Sequence, residues 1–144
     1  DHVLEIGTGS GYGAAVLSRL CRTVDTVEHF PQLADEALLY LEQLGYENVT
    51  VHTADGVLGW PKAAPYDAII VTAAAAALPQ AYLDQLVPGG RIVMPLEGMR
   101  FRQALYRFTK RRDGVQVENL GGFTFVPLVS DTDWEPADLL DDDD

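Results

Sequence analysis

The sequence predicts an α/β fold, with a doubly wound, mostly parallel sheet and an antiparallel edge. Over residues 1–95, strand-like apolar runs alternate with segments of helical spacing, which favours parallel strands with helices on both faces. Two further strand-like segments follow without a helical segment between them, so they should form an antiparallel edge. A glycine-rich turn directly after the first strand is typical of sheets that bind a nucleotide-like ligand.

The elements of the first half follow from apolar periodicity and local boundary signals. Apolar runs and alternation predict the strands, and spacing of three and four residues predicts the helices. The second helix has clear ends, because Pro31 suits a first helical turn and Gly45 ends a helix. In order, the predicted elements are a strand at 2–6, a turn at 7–11, a helix at 12–20, a strand at 23–28, a helix from 31 to about 44, and strands at 49–53 and 66–72.

The second half depends more on turn residues. Asp113 and Gly114 predict a hairpin turn between the last two strands. The alanines at 73–77 fit either the start of a helix or a close-packed loop. In order, the predicted elements are a short helix at 79–86 closed by Pro88, Gly89 and Gly90, and strands at 91–95, 104–109 and 116–126.

The net charge of −12 is concentrated at one end of the chain. Residues 131–144 carry eight acids and no Lys or Arg, whereas residues 1–130 carry 14 acids and 10 bases. We therefore predict a folded body at 1–130 and an acidic tail at 131–144, with 138–144 disordered by like-charge repulsion. The acidity argues against nucleic-acid or membrane partners. The basic stretch from Arg91 to Arg112 fits either solvated strands or attraction for acidic peptides.

Other features indicate the setting in which the chain works. The apolar runs are far shorter than the ~20 residues that span a bilayer, and the single cysteine, Cys21, fits a reducing, cytoplasmic compartment. The three histidines have no partner at metal-ligand spacing, so we expect no metal site. Because Asp1 directly precedes a buried strand, we expect the chain to be a segment of a longer protein. We also expect the protein to be a monomer.

The glycine turn after the first strand is the first candidate binding feature. Residues 3–13 read VLEIGTGSGYG, which places glycines at 7, 9 and 11 after a strand and before a helix. Glycine lets the backbone turn tightly and lets a ligand approach it closely. Glu5 lies two residues before Gly7, at the end of the strand.

Two more acids follow the next strands. Glu28 lies 21 residues after Gly7, where an acid accepts hydrogen bonds from a ribose diol. Asp55 and Gly56 follow the third strand, where a carboxylate can accept from an adenine amino group. Each acid alone also fits a solvated loop or a turn. Because the carboxyl ends of parallel strands meet at one edge, we expect all three acids to face one crevice.

The spacing favours S-adenosylmethionine over NAD as the ligand. Tyr12 stands where a dinucleotide motif has its third glycine, and the turn is followed by no Lys-Ser/Thr pair of the kind that binds ATP phosphates. A sulfonium ligand has no phosphate, and its ammonium group and positive sulfur suit acidic surroundings. Tyr12, Tyr66 and Phe30 are candidates to flank an adenine ring, with core packing as the alternative.

Five segments resemble the protein-L-isoaspartate O-methyltransferase family. In order over residues 2–130 they are VLEIGTGSGYG, DTVEHFPQLADEA, ADGVLGWPKAAPYDAIIVTAA, LPQAYLDQLVPGGRIVMPL and FTFVPL. The resemblance implies the class I S-adenosylmethionine-dependent methyltransferase fold, which is Rossmann-like. It also implies methyl transfer from S-adenosyl-L-methionine to the free carboxylate of isoaspartyl residues, as repair of damaged proteins and peptides. The ester then collapses to a succinimide, which reopens partly to aspartate.

The resemblance also implies site residues. The segment after Leu128 would fold over the cofactor and bring Val129 and Trp134 near it, and 126–128 would line the substrate peptide. By position, the cofactor contacts fall on Gly7, Glu28, His29, Asp55 and Gly56, with Glu5, Gly9 and Gly11 shaping the same pocket.

The chain departs from the family's pattern at three places. The family's active-site serine lies in a GQTIS-type loop upstream of residue 1, so we predict no catalytic residue in this chain and assign no such role to Ser10 or Ser18. The alanine loop lacks the family's first proline, and Thr124 stands where the family often has arginine. These departures leave two alternatives open. One is a peptide-tailoring aspartate methyltransferase that forms aspartimides, and the other is an inactive cofactor-binding fragment.

Overall fold

The computed structural model describes residues 1–97, 103–122 and 125–139, and in them it has seven strands and three α-helices. The strands are β1 (His2–Ile6), β2 (Thr23–Glu28), β3 (Val49–Thr53), β4 (Tyr66–Val71), β5 (Leu86–Glu97), β6 (Gln103–Arg111) and β7 (Gly114–Gly122). The helices are α1 (Tyr12–Leu20), α2 (Pro31–Gln43) and α3 (Gln80–Asp84), with short 3-10 helices at Gly56–Leu58 and Pro61–Ala63. None of these described helices is long and apolar enough to cross a membrane.

All seven strands of the described chain form one sheet, in the order β3-β2-β1-β4-β5-β6-β7. Strands β1 to β5 are parallel, and β6 and β7 form an antiparallel edge, which confirms the predicted fold class. The strand order reverses between β1 and β4, because β2 and β3 lie on one side of β1 and the later strands lie on the other. Right-handed crossovers therefore place α1 and α2 on one face and α3 on the other. The crevice at this reversal is where such sheets bind ligands.

Each face of the sheet has its own apolar core. On the face of α1 and α2, Ala14 and Ala15 pack with Leu41, and Val49 and Val51 are partly buried against them. The small side chains of Ala14 and Ala15 let α1 lie close to the strands. The larger core lies on the face of α3, and its buried members include Leu4, Ile6, Val27, Ile69, Val71, Tyr82, Leu83, Ile92, Met94 and Phe108.

The predicted elements agree with the structure up to β3, and the first clear difference is at β5. This strand begins at Leu86 rather than Arg91. Leu86 pairs with Tyr66, and the ladder resumes at Arg91 opposite Ala68 after a register shift. The predicted helix at 79–86 is correspondingly shortened to α3. Pairing with a distant strand therefore prevails over the local turn signal of the Pro-Gly-Gly sequence.

The predicted strand at 116–126 is also shorter than expected. Strand β7 ends at Gly122, and residues 123–124, including the Thr124 departure, lie outside the described residues. Farther along, the N–H of Ala74 donates to the carbonyl of Val126 at 2.7 Å. Ala74 and its neighbours are buried and non-helical, so the alanine segment is a close-packed loop.

The first part of the acidic tail packs against the folded body. The N–H of Gln80 donates to the carbonyl of Glu135 at 2.9 Å, and the N–H of Ala137 donates to Leu78 at 2.7 Å. Leu139 is partly buried against the larger core. Disorder is predicted for residues 138–144. Of these, the structure describes Asp138 and Leu139, and residues 140–144 lie outside the described part of the chain.

Contacts with the sheet and with α3 engage Arg107 and Lys110 of the Arg91 to Arg112 stretch. Arg107 forms a two-point pair with Glu118 across β6 and β7 at 2.8 and 3.0 Å. The Lys110 ammonium donates to the carbonyls of Leu83 and Leu86. Such contacts favour the interpretation of these bases as edge-strand residues. Arg100 and Arg102 lie outside the described residues.

Candidate ligand site at the carboxyl ends of the strands

A cavity of about 250 Å³ lies beside the glycine turn, where the strand order reverses. Its walls come from the ends of β1, β2 and β4 and from a C-terminal segment that crosses above them. The lining residues are Ile6, Gly7, Gly9, Val27, Glu28, His29, Phe30, Leu33, Gly56, Thr72, Ala73, Val126, Pro127, Leu128 and Val129. Apart from the two ionisable side chains, Glu28 and His29, the wall is mostly apolar, which suits a ligand with one flat apolar part and a few polar groups.

The glycines of the predicted turn have a left-handed backbone. Gly7, Gly9 and Gly11 have φ angles of 99°, 54° and 95°. A Cβ on Gly7 would lie 2.6 Å from Oγ1 of Thr72, so this glycine is also required for space. The N–H groups of Gly7 and Thr8 donate to the carbonyl of Val27 at 2.9 and 3.3 Å, which fixes the turn against β2.

Gly11 contributes to the turn in a different way. A Cβ on Gly11 would lie 3.3 Å from the ring of Tyr40 and would also contact other side chains of α2. Its N–H donates to the carbonyl of Thr8 at 2.9 Å, and it precedes the first residue of α1. Among the described residues, Gly7 and Gly9 line the cavity, whereas Gly11 lies behind the turn, where it lets α1 approach α2.

Glu28 places a buried carboxylate on the cavity wall. It is only 6% exposed, and its two oxygens accept N–H groups from Gly9 at 2.9 Å and Phe30 at 3.2 Å. Each carboxylate oxygen offers about two acceptor positions, so one position on each remains for a ligand. The side chain therefore fixes the turn and offers a pair of acceptors to the cavity.

Glu5 lies beneath the turn rather than on the cavity wall. Its Oε1 accepts the hydroxyl of Thr26 at 2.6 Å, and that hydroxyl lies 2.6 Å from the hydroxyl of Thr8 in the turn. Burial raises the pKa of Glu5 to about 7, the hydrogen bond from Thr26 opposes the rise, and the charge of Glu28 adds to it. Glu5, which was predicted to shape the pocket, therefore does not line the cavity and contacts the turn through Thr26 and Thr8.

Asp55 and Gly56 are neighbours with different places. Gly56 lines the cavity, and a Cβ there would lie 2.6 Å from Cγ2 of Ile6. Asp55 caps the following 3-10 helix, because its Oδ1 accepts the N–H of Val57 at 3.2 Å. Its Oδ2 accepts the hydroxyl of Ser130 and the N–H of Asp131, so Asp55 lies at the cavity edge beneath the C-terminal segment.

His29 is the second ionisable residue of the wall. Its Nε2 lies 3.3 Å from a carboxylate oxygen of Asp131, and its ring meets Phe30 edge-on at 5.0 Å between centroids. Of the three aromatic candidates for an adenine contact, Phe30 lines the cavity. Tyr66 is buried in the larger core, and Tyr12 is exposed on α1.

A segment that we call the strap, residues 125–139, crosses above the site, and its residues 126–129 line the cavity. The N–H of Leu128 donates to the carbonyl of Ala74 at 2.7 Å, which fixes the strap beside the end of β4. Val129 lines the cavity, as the resemblance implies. Trp134 does not, because it lies in a separate hollow beside α3 with Pro79 and Leu58. Trp134 therefore does not line this cavity, because the strap has already turned toward α3 there.

The sequence did not single out three residues of this region. Thr72 lines the cavity, and its hydroxyl lies 3.1 Å from the carbonyl of Gly7. Gly13 lies in the first turn of α1, where a Cβ would be 2.5 Å from Oε2 of Glu5. A glycine inside a helix is unfavourable, and that signal could have identified Gly13. Ser130 gave no signal, because its partner Asp55 is 75 residues away in sequence.

The described residues contain no group of three or more His, Cys, Asp or Glu side chains placed to hold a metal ion. What the site offers is a cradle of backbone groups with two carboxylate acceptors on Glu28 and a flanking aromatic ring on Phe30. Such an arrangement binds and orients a ligand with hydroxyl and flat apolar groups.

Comparison with known proteins decides the family. The family described as protein-L-isoaspartate(D-aspartate) O-methyltransferase matches residues 1–133. The chain belongs to this family. It is 54% identical over 135 residues to protein-L-isoaspartate O-methyltransferase 2 of Pelobacter propionicus, covering 93% of this chain and 60% of the relative. It is 50% identical to protein-L-isoaspartate O-methyltransferase 1 of Syntrophobacter fumaroxidans, covering 94% and 63%.

Solved structures agree with this membership. A protein-L-isoaspartate O-methyltransferase superposes with a TM-score of 0.83 at 35% identity, over 88% of this chain and 41% of that one. A precorrin-6y C5,15-methyltransferase from Geobacter metallireducens, with a TM-score of 0.57 and 20% identity over 68% of this chain and 54% of its own, shares the fold alone. The predicted family and the class I methyltransferase fold are confirmed. The chain spans about three fifths of the length of its curated relatives.

Proposed function

We propose that this chain is the cofactor-binding body of a protein-L-isoaspartate O-methyltransferase that uses S-adenosyl-L-methionine as methyl donor. Family membership over residues 1–133 supports the reaction class. The observation that carries the proposal is Glu28, a buried carboxylate that lines the cavity beside the glycine turn with an open acceptor position on each oxygen.

The residues present fit this cofactor. Glu28 would accept the two ribose hydroxyls, and Phe30 would lie against the adenine. The turn at Gly7 and Gly9 would admit the amino-acid end close to the backbone, since neither residue has a side chain. Asp55 would accept the adenine amino group at the edge of the cavity. Glu5 and Gly11 would act indirectly, by supporting the turn.

The proposed methyl transfer requires little of the chain beyond binding and alignment of the reactants. S-adenosyl-L-methionine supplies an electrophilic methyl carbon on a positive sulfur. An isoaspartyl carboxylate, with a pKa of ~4, is already ionised at neutral pH and needs no general base. The chain's residues therefore hold one reactant and exclude water, and orientation supplies most of the rate gain. The methyl ester product would then close to a succinimide, as the following backbone nitrogen attacks the ester carbonyl carbon and methanol leaves.

The wider setting is part of the same proposal. The substrates would be isoaspartyl-containing proteins and peptides, and the net charge of −12 disfavours nucleic acid and anionic membranes as partners. We propose a cytoplasmic monomer whose methyltransferase body covers residues 1–130, followed by an acidic segment. Size-exclusion chromatography with light scattering tests the monomer.

Calorimetric titration with S-adenosylhomocysteine tests the site. The protein should bind this product, and Glu28→Ala should weaken binding by about a hundredfold, since it removes two hydrogen bonds to a charged acceptor. Glu42→Ala, on the exposed side of α2, is the matched control and should bind as the parent does. Absence of binding by the parent would refute the cofactor assignment.

Methyl transfer tests the substrate. The protein encoded by the complete reading frame is assayed with an isoaspartyl peptide and with its aspartyl isomer. We expect the isoaspartyl form to be preferred. A preference for the aspartyl form would instead support a peptide-tailoring enzyme.

A further inference from the structure

The Asp55 carboxylate is joined to the strap by two hydrogen bonds to one oxygen. The Ser130 hydroxyl donates to Oδ2 at 2.8 Å, and the N–H of Asp131 donates to the same oxygen at 3.1 Å. Ser130 Oγ itself accepts the N–H of Thr132 at 3.1 Å and lies 3.0 Å from the Thr132 carbonyl. A hydroxyl has one proton, and the charged carboxylate is the stronger of its two possible acceptors.

These contacts fix the orientation of the Asp55 carboxylate. Two donors occupy Oδ2, the N–H of Val57 donates to Oδ1 at 3.2 Å, and the Thr132 hydroxyl is a further donor to the carboxylate. Burial raises the pKa of Asp55, but the hydroxyls of Ser130 and Thr132 and the backbone N–H groups of Val57 and Asp131 outweigh it and hold the pKa below its usual value. Asp55 is therefore an ionised acceptor at neutral pH, with its plane fixed by the strap.

The Asp55–Ser130 contact joins two walls of the cavity. Gly56, the residue after Asp55, lines the cavity, and so does Val129, the residue before Ser130. The contact therefore closes the gap between the end of β3 and the strap. A ligand group that reaches this edge meets the Asp55 carboxylate.

We propose that Ser130 is a positioning residue that orients the Asp55 carboxylate to accept the 6-amino group of adenine, and so sets the preference for adenine over hypoxanthine. The inference rests on the proposed function. An amino group can donate to Oδ1, which also accepts the N–H of Val57, whereas a 6-oxo group presents a second acceptor to it. Without the Ser130 hydroxyl, one of the bonds that fix the carboxylate plane is lost, and discrimination between the two bases falls.

The test compares affinities for S-adenosylhomocysteine and S-inosylhomocysteine, which differ at position 6 of the base. The parent should prefer the adenine ligand by about ten- to a hundredfold, the range for a hydrogen bond to a charged group. Ser130→Ala should lower this ratio by about fivefold, mainly by weakening the adenine ligand. Ser130→Thr, which keeps the hydroxyl, should restore it. Asp55→Ala should abolish the preference.

Asp133→Ala, an exposed change in the same strap, is the control and should keep the parent's ratio. Equal weakening of both ligands by Ser130→Ala would mean that Ser130 only supports the strap, and would overturn the inference. An unchanged ratio would overturn it as well. If the parent binds S-adenosylhomocysteine and only the ratio fails to respond, the proposed function stands. Absence of binding by the parent refutes both. Thermal unfolding of each variant confirms that it is folded.

Discussion

Asp25 and Glu28 lie three residues apart on β2 and are almost equally buried, at 8% and 6% exposure, yet their partners differ in kind. Asp25 is bound by two imidazoles, from Nε2 of His2 at 2.6 Å and Nε2 of His52 at 2.7 Å. Glu28 is bound by two backbone N–H groups at the edge of a cavity.

The difference separates a structural carboxylate from a ligand-binding one. The imidazoles join β1, β2 and β3 through their side chains, and His52 also stacks on Trp60 at 4.0 Å. Asp25 is therefore enclosed by side chains on the α3 face of the sheet. Glu28 has a cavity on one side, so its remaining acceptor positions are accessible. Burial alone does not distinguish them, whereas the space beside each carboxylate does.

After Glu28→Ala, the largest expected effect comes from closing the cavity beside Glu28. Gly7→Ala places a Cβ at 2.6 Å from Thr72 Oγ1 and strains a backbone at φ 99°. We expect at least a thirtyfold loss of affinity for S-adenosylhomocysteine and a loss of about 1–3 kcal/mol in the free energy of unfolding. Titration calorimetry and urea unfolding measure the two.

Gly45→Ala is the control for the Gly7 variant. Its φ is 78°, and a Cβ there meets no atom within 4 Å, so it tests backbone strain without a clash. It should lower stability by about 1 kcal/mol and leave ligand affinity unchanged. Equal affinity losses in both variants would show that the Gly7 effect is not local to the cavity.

The next effect tests the structural side of the comparison. Asp25→Ala leaves two partly buried imidazoles without their acceptor, so we expect a loss of about 1–3 kcal/mol in the free energy of unfolding. Affinity for S-adenosylhomocysteine should change less than twofold. Asp35→Ala, on the exposed face of α2, is the control. A tenfold loss of affinity in Asp25→Ala would erase the distinction between the two carboxylates.

A third prediction concerns pH and the carboxyl beneath the turn. The pKa of Glu5 is raised from 4.5 to about 7 in the folded chain, so folding favours its protonated form. That stability is fully present below pH 4.5 and is lost as pH rises through 7. Relative to Glu5→Gln, the parent should lose about 2 kcal/mol between pH 5.5 and pH 8.

Urea unfolding of the parent and Glu5→Gln at several pH values measures this difference. Glu42→Gln removes an exposed carboxyl and controls for the change in net charge. A pH-independent difference between the parent and Glu5→Gln would contradict the prediction, and would mean that Glu5 is ionised in the folded chain at pH 5.5.

The smallest effect is expected at the antiparallel edge. Arg107 and Glu118 form a well-aligned but solvent-exposed pair, which water and salt screen. Arg107→Gln should leave the urea midpoint almost unchanged in 0.5 M salt and slightly lower it in low salt. A large loss that persists in high salt would mean that this pair holds β6 against β7.

Local sequence determined much of the molecule. The glycine turn, the three parallel strands at 2–6, 23–28 and 49–53, and the two helices between them follow from periodicity, Pro31 and the glycines, because these signals act within a few residues. Glu28 was also within reach of the sequence, because an acid that ends the second strand must lie beside the turn that ends the first.

Tertiary structure decided which groups each side chain meets. Glu5 and Gly11 were expected to shape the pocket, and the structure places both behind the turn. Asp55 accepts a hydrogen bond from Ser130 of the strap. Strand β5 begins at Leu86 because Tyr66 pairs with it. These outcomes depend on segments that are distant in sequence, and a carboxylate's role depends on whether those segments fill its remaining acceptor positions or leave them open to a cavity.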